Sequence, residues 1–255
     1  MIELYKHDTY LNKNIPYLFN YDITEYDLKD AGYSISKEYK LLSSEKLEYL
    51  KSLPKKKRTV QLGLYQREDS IFKENLKIGF KKARQIFFES NNILERELLS
   101  IKKDAIFLNR LCNNREFGYL NFRPKNTYTS YLYLKTDNGG TLELYYNKDK
   151  IDVKGISESK IELHENYMMK FLNTFFQKME SNTPKEVLQW LCRFVSKYKR
   201  RDLETGYYRT FDNRSIIELL DNDVVDFIYE EDKSDNIEIG YNYFNILMKL
   251  VKMPL

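Results

Sequence analysis

The spacing of apolar residues along this chain alternates between two periods. Helical spacing is clearest over residues 71–90, where Phe72, Leu76, Phe80, Ala83 and Phe87 fall on one face. The same period covers residues 30–50, with Ser43-Ser44-Glu45 as a helix start and Pro54 closing the segment, and continues over 58–66. Residues 21–28 alternate as a strand does, and 98–108 form an almost continuous apolar stretch that reads as one buried strand. Between 117 and 156 the runs GYLNF, YTSYLYL, TLELYY and IDVKGI predict successive strands, with a tight turn at Asn138-Gly139-Gly140. Residues 1–20 hold no period, and Pro16 interrupts any helix there. Past Ser157 helical spacing returns over 165–180 and 184–198, where Pro184 suits a first turn behind Thr183, and again over 241–251 after a tail of short strands.

No internal repeat and no low-complexity linker breaks this order. Strand, helices, strand, sheet and helices in succession predict an α+β fold. The expected division is a core of residues 1–156 carrying a helical insertion at about 36–97, followed by a mainly helical region of 157–255.

Composition narrows the class. At 255 residues, with 42% hydrophobic and 31% charged positions, the chain has the make-up of an ordinary globular protein. No apolar run approaches the roughly 20 residues of a bilayer span, so no membrane partner is expected. The N-terminal MIELYKHDTYLNKN lacks the apolar block of a secretory signal, which predicts a cytoplasmic protein. Cys112 and Cys192, with His7 and His164, are too few to build a zinc site or a disulfide framework.

The net charge of +4 leans mildly toward polyanions. Basic residues cluster at 55–58, at Lys197, Lys199, Arg200 and Arg201, and on one helix at Lys77, Lys81, Lys82 and Arg84, while acidic residues gather over 221–235. Such polarity suits a nucleic-acid face, although any single run is more often a solvated helix end. The 22 tyrosines interleave with basic residues as base-stacking surfaces do, but a low-GC genome enriches Tyr, Lys, Asn and Ile together and accounts for most of them. Other chemistries find no footing. Gly63, Gly79 and Gly118 stand alone rather than forming a phosphate loop, and no Ser or Cys sits in a nucleophile motif. His164 reads as a helix-start residue and Trp190 as helix core.

Two stretches carry the sharpest chemical signal. YDLKDAGYSI, residues 26–35, and SIKKDAIF, residues 100–107, each set a lone aspartate, Asp27 or Asp104, beside apolar strand positions. Carboxylates on neighbouring strands are the donors that anchor Mg²⁺ for phosphoryl transfer. Asp22 competes with Asp27 as the first ligand, and Asp27 or Asp30 would serve equally as a cap on the following helix. Asp104 would otherwise be a charge emerging from a strand end.

These stretches resemble the palm of family B DNA polymerases, the group that includes protein-primed phage enzymes. That family's first palm motif is a metal-binding aspartate in an apolar strand followed by Ser-Ile, as in Asp27…Ser34-Ile35. Its third motif is a hairpin carrying Asp-Thr-Asp, and Lys102-Lys103-Asp104 keeps the second aspartate. LNFRPKNTYTSYLYL resembles the strand and basic-aromatic element that contacts primer and template, and Asp152-Val-Lys154-Gly155-Ile156 resembles the Lys-Gly passage toward the thumb. The resemblance covers about residues 20–160. It implies a palm-like antiparallel sheet, a fingers-like helical insertion and a thumb-like C-terminal part, from a phage or other virus.

The implied site follows residue by residue. Asp27 and Asp104 would be catalytic and hold Mg²⁺. Lys81, Lys82, Arg84, Tyr33 and Lys102 would bind a nucleoside triphosphate. Lys125, Tyr128, Lys154 and Gly155 would contact nucleic acid, DNA in preference to RNA. The sequence also departs from the pattern. Lys102 and Lys103 replace Asp and Thr, Gly32 stands where the family has a tyrosine with Tyr33 one place late, the fingers motif is not cleanly present, and Lys125…Tyr128 is spaced one residue longer. Three readings stay open: a nucleotidyltransferase extending a primer, a catalytically inactive palm that binds nucleic acid or a replication or host protein, and an unrelated α+β interaction protein.

Overall fold

The computed structural model describes residues 3–135, 140–148, 150–155, 165–208, 210–211, 216–217, 247 and 250. The chain divides into two compact units, one of Met1–Pro16 and Tyr21–Thr129, the other of Tyr17–Asn20 and Ser130–Leu255. The fold is α+β with an antiparallel sheet, as the order of periods predicts.

In the first unit the strands run in the order β1 (Thr9–Leu11), β3 (Leu98–Lys102), β4 (Ala105–Leu108), β2 (Tyr17–Leu28) and the first half of β6 (Leu120–Lys135). The two-residue strand β5 (Glu116–Phe117) pairs with β6 as well. Strand β2 is central, so both of its edges are paired, with β4 and β6. Tyr26 and Leu28 point into the apolar core, and the alternate positions Glu25 and Asp27 share the opposite face.

Four helices pack on the core face: α1 (Ala31–Glu38), α2 (Ser44–Ser52), α3 (Lys55–Glu68) and α4 (Ser70–Ser90). Ser43 caps α2 and Asp69 caps α4, each accepting a backbone N–H of the first turn, from Lys46 and Phe72. The apolar face read for α4 is buried through Phe72, Leu76, Ala83 and Phe87. Phe87 stacks on Phe122 of β6 at 4.4 Å between ring centroids and meets Tyr26 of β2 at 5.3 Å.

Three expectations need correction. Residues 98–108 form a hairpin, not one strand, because Lys102 pairs with Ala105 and leaves Lys103-Asp104 as a two-residue turn. The apolar pattern runs unbroken on both sides because both strands are buried, and only two polar residues mark the reversal. GYLNF and YTSYLYL are a single strand, β6, whose backbone stays extended through the polar run Arg123 to Asn126. Residues 1–20 are not irregular throughout. They hold a short turn at Leu4–Lys6, β1 and the start of β2. Buried Asn12 fixes the end of β1 by donating to the carbonyls of Glu95 and Leu98, a role that leaves no period in the sequence.

In the second unit the later half of β6 pairs with β7 (Thr141–Asn147), and β7 with β8 (Lys150–Lys154), all antiparallel. Helices α5 (Glu165–Ser181) and α6 (Pro184–Lys199) supply the other side of its core. Pro184 sits in the first turn of α6 behind Thr183, as the sequence predicts, and Thr183 and Glu186 form a capping box. Tyr146 stacks on Phe176 at 4.6 Å, and Phe171, Phe175 and Leu191 are buried around them. The turn at Asn138-Gly139, His164, the acidic run 221–235 and most of the helix expected over 241–251 lie outside the described residues. Leu247 and Leu250 of that helix range are buried in this second core.

A guanidinium is among the polar groups buried in the first unit. Arg84 of α4 is 2% exposed and donates Nε to the Tyr5 carbonyl at 2.9 Å, Nη1 to the Lys103 carbonyl at 2.8 Å and Nη2 to Asp8 Oδ1 at 2.8 Å. The guanidinium thus ties the N-terminal segment and the β3–β4 turn to α4. Hydrogen bonds from a charged donor are worth about 1.5–3 kcal/mol net, and severed ones leave buried carbonyls unsatisfied. Arg84→Met is therefore expected to lower unfolding stability by about 3 kcal/mol or more. Urea denaturation checks this, and a midpoint unchanged from the parent would refute the role.

Candidate functional site

Strand β2 ends at Leu28, and the chain turns into α1 through Asp30, whose φ of +49° is left-handed. Asp27 lies opposite Ala105 in the β2–β4 register, so the turn residue Asp104 is next to it. Both aspartates line one cavity of about 570 Å³ in the first unit. That size lies within the roughly 300–1,000 Å³ range of small-molecule sites. Lys55, Lys77, Lys103 and Arg84 also line it, as do Tyr33, Leu62, Leu76 and Phe80. An acidic end, basic walls and an apolar-aromatic surface therefore meet in one space.

The acidic end is set in a row of cross-strand ion pairs. Lys29 N donates to the Asn121 carbonyl, which fixes β2 against β6. Two residues on, Asp27 Oδ2 accepts from Arg123 Nη2 at 3.2 Å, and two further, Glu25 Oε1 accepts from Lys125 Nζ at 3.1 Å. Glu25 is 2% exposed and its other oxygen accepts from Asn126 Nδ2 at 2.5 Å and Tyr128 OH at 3.1 Å. Burial pushes the Asp104 carboxyl above the usual aspartate range, and the charge of Asp27 pushes the same way. A backbone hydrogen bond and the charges of Lys125 and Lys103 offset part of this. Burial lowers the Lys125 ammonium, but the Glu25 hydrogen bond and the charges of Glu25, Asp27 and Asp104 outweigh it, and the net shift is upward.

The predicted residues divide by location. Asp27, Asp104, Tyr33 and Arg84 line the cavity, whereas Lys81, Lys82 and Lys102 do not. Arg84 is committed to holding the turn, Lys82 sits over the Tyr39 ring at 5.6 Å, and Lys102 ends β3 opposite Thr9 and Ala105. Lys125 and Tyr128 are brought to the acidic row, where the Tyr128 side chain is buried. Lys154 and Gly155 belong to the second unit, at the end of β8, with Lys154 opposite Glu143. Gly155 has φ +101°, and a Cβ there would lie 2.0 Å from the Thr141 carbonyl oxygen, so the close strand approach itself demands glycine.

Asp30 occupies the cap position of α1 without a capping hydrogen bond. Its carboxylate instead takes Arg58 Nη1 at 2.7 Å, and Arg58 covers the Tyr33 ring at 4.9 Å. Asp22 is exposed on β2 and is not part of the cavity lining. Sequence reasoning missed Glu25, Arg123 and Lys103, and that Lys77, ion-paired to Glu74, lines the cavity. Glu25 was within reach, since it shares a strand face with Asp27 at a two-residue step. Arg123 and Lys103 gain their places from strand register, which no local pattern reveals.

Asp27 and Asp104 are the residues that would hold a Mg²⁺ ion, although Asp27 already pairs with Arg123. Asp27 and Asp104 offer hard oxygen ligands, and Mg²⁺ is commonly held by one or two carboxylates plus substrate phosphates. Among the described residues no group of three or more His, Cys, Asp or Glu side chains converges to hold a metal.

Across residues 1–255 the chain matches the family described as Bacteriophage PBS1 gene 130 protein, and it belongs to that family. The phage origin expected from the sequence is thereby supported, while the match says nothing of a polymerase. A search of curated proteins gave no match. Among the described residues no helix is long and apolar enough to cross a membrane.

The raised pKa of Asp104 has a definite consequence for stability. Above the raised folded-state value the charged carboxylate is held in a partly dehydrated site, which penalises the folded state. Below the ordinary aspartate range both states are protonated and the penalty vanishes. Asp104→Asn is thus expected to be more stable than the parent at neutral pH, with the advantage shrinking as pH falls through that window. Thermal melts at neutral and acid pH check it, and a destabilised variant at neutral pH would contradict it.

Proposed function

We propose that this member of the phage PBS1 gene 130 protein family uses its first unit as a Mg²⁺-dependent nucleotidyltransferase that extends a primer with nucleoside triphosphates, DNA being favoured over RNA. The observation that carries the reading is the convergence of Asp27 and Asp104 on one cavity walled by Lys55, Lys77 and Lys103. A divalent ion held by the two aspartates would neutralise triphosphate charge and lower the barrier to attack by a primer hydroxyl.

The chain's own residues supply the rest. Lys55, Lys77 and Lys103 attract the triphosphate into a confined space, where charge acts more strongly than in bulk water. Tyr33, Leu62 and Phe80 offer apolar and aromatic surface for the base and sugar. Arg58, fixed by Asp30 and by the carbonyls of Leu50 and Leu53, keeps the Tyr33 ring in place. Arg84 holds the turn that presents Asp104, so the two carboxylates keep a constant separation when substrate enters.

A second reading, a palm-like protein that binds nucleic acid or a replication or host protein without chemistry, is favoured by the Asp27–Arg123 pair, which occupies one of the two carboxylates. Primer extension with labelled nucleotide separates the two. The first reading expects Mg²⁺-dependent incorporation that falls about 100-fold or more in Asp27→Ala and in Asp104→Ala, on the scale of losing a transition-state stabiliser. Lys77→Ala should raise the KM for triphosphate about 10-fold, as the loss of one charge-assisted contact does. No incorporation by the parent, with salt-sensitive DNA binding that survives both aspartate substitutions, would establish the second reading instead.

A further inference from the structure

We infer that a second groove of the first unit, beside Arg115 and Arg123, takes a phosphate of a single DNA strand, and that this phosphate competes with Asp27 for the Arg123 guanidinium. The inference deepens the nucleotidyltransferase reading and rests on it for what Asp27 does once released. The groove has a volume of about 670 Å³ and is lined by Arg115, Arg123 and the amides of Asn113, Asn114 and Asn121. Its lining residues are not those of the Asp27 cavity. An ion pair nevertheless joins the two spaces, because Arg123 Nη2 of the groove lies 3.2 Å from Asp27 Oδ2 of the cavity.

The lining suits a phosphate oxyanion. Among the described residues the Arg115 guanidinium has no ion pair, so its donors are open to a ligand. Its backbone is fixed all the same, since the Arg115 carbonyl accepts Phe122 N at 2.8 Å. Buried Asn91 fixes the neighbouring wall by donating Nδ2 to the Phe87 and Asn114 carbonyls, at 2.9 and 2.7 Å. One carboxylate, Glu116, also lines the groove and accepts from Asn121 Nδ2 at 2.8 Å, so two guanidinium groups stand against one acid. Phe117 adds aromatic surface on which a base of the same strand stacks, a feature that a free phosphate would not use. Arg123 is the group that both ligands need. Its side chain is 45% exposed against 16% for Asp27, and ion pairs open to solvent are weak. A phosphate engages a guanidinium through two parallel N–H donors and so outcompetes the single contact to Asp27. Strand binding thereby leaves Asp27 free for a divalent ion. By linkage, if losing Asp27 as a competitor tightens the strand, the strand loosens the hold on Asp27 by the same factor.

Fluorescence anisotropy of a labelled oligo(dT) strand with the full chain, at fixed low salt and without nucleotide or divalent ion, tests this apart from turnover. Arg115→Met and Arg123→Met should each weaken binding about 10-fold, the loss of one charge-assisted contact. Asp27→Asn should tighten it about 3- to 5-fold, the worth of a partly exposed ion pair. Placed in the Arg123→Met background, Asp27→Asn should change nothing, which separates competition for one guanidinium from a general loss of negative charge. A gain in affinity from Asp27→Asn is also not what a loosened fold produces. Inorganic phosphate, matched to the strand in phosphate concentration, should not displace it. Arg115→Met binding as the parent does, Asp27→Asn leaving affinity unchanged, an equal gain with Arg123 removed, or displacement by inorganic phosphate would each overturn the inference. If the expected shifts occur but no protein incorporates nucleotide, the strand groove stands and the nucleotidyltransferase reading falls. If the parent incorporates nucleotide while these variants bind DNA as it does, the reading stands and the inference falls.

Discussion

The Arg84 guanidinium sits inside the first unit and directs its donors to two pieces of chain far apart in sequence: Tyr5 and Asp8 of the N-terminal segment, and Lys103 of the β3–β4 turn. Burying a charge is costly unless it is paired and hydrogen-bonded, and Arg84 meets that condition with one carboxylate and two carbonyls. Because Lys103 is half of a two-residue turn, fixing its carbonyl also fixes the neighbouring Asp104. Lys103 N donates to the Asp8 carbonyl, so the turn is held from both ends of the same residue. The position of Asp104 thus depends on a helix residue and on the N-terminal segment, not on the hairpin alone.

On the other side of the pair, β2 is a central strand, and its alternation places apolar Tyr26 and Leu28 on the helix-covered face and Glu25 and Asp27 on the other. Antiparallel pairing then sets Arg123 and Lys125 across from these carboxylates at matching two-residue steps. Charge compensation is therefore built into the sheet register. A slip by one residue would turn the carboxylates into the apolar core, a penalty that pins the register as firmly as the apolar residues do.

Much of this was legible in the sequence. The apolar face of α4, the helix start at Ser43, Pro184 in the first turn behind Thr183, and the α+β order follow from local rules, because period and capping act within a few residues. Asp27 and Asp104 stood out because a lone acid in an apolar strand is conspicuous. The illegible parts are those decided by pairing. The Lys103-Asp104 reversal is hidden by apolar residues on both flanks, and the polar run 123–126 separates the two apolar runs of β6. Arg84 read as a member of a basic helix face with Lys81 and Lys82. A helical wheel does not say which arginine will find three buried acceptors, and that choice depends on Tyr5 and Asp8 arriving from elsewhere in the chain.

The energetics of Asp104 bear on whether the pair is a relic. Its carboxyl is dehydrated and lies beside another aspartate, which disfavours its charged form in the folded protein. Asparagine at the same place would hold the same turn without that cost. The fold itself does not call for a carboxylate there, since Arg84 grips the turn through the Lys103 carbonyl and not through the Asp104 side chain. Strain of this kind collects where charge serves a purpose other than stability. A partly buried acid beside a second acid, both lining a cavity that lysines also line, is what the proposed binding of a polyanion through a divalent ion calls for. In a scaffold that had only kept its shape, the acid would bring a cost and no return.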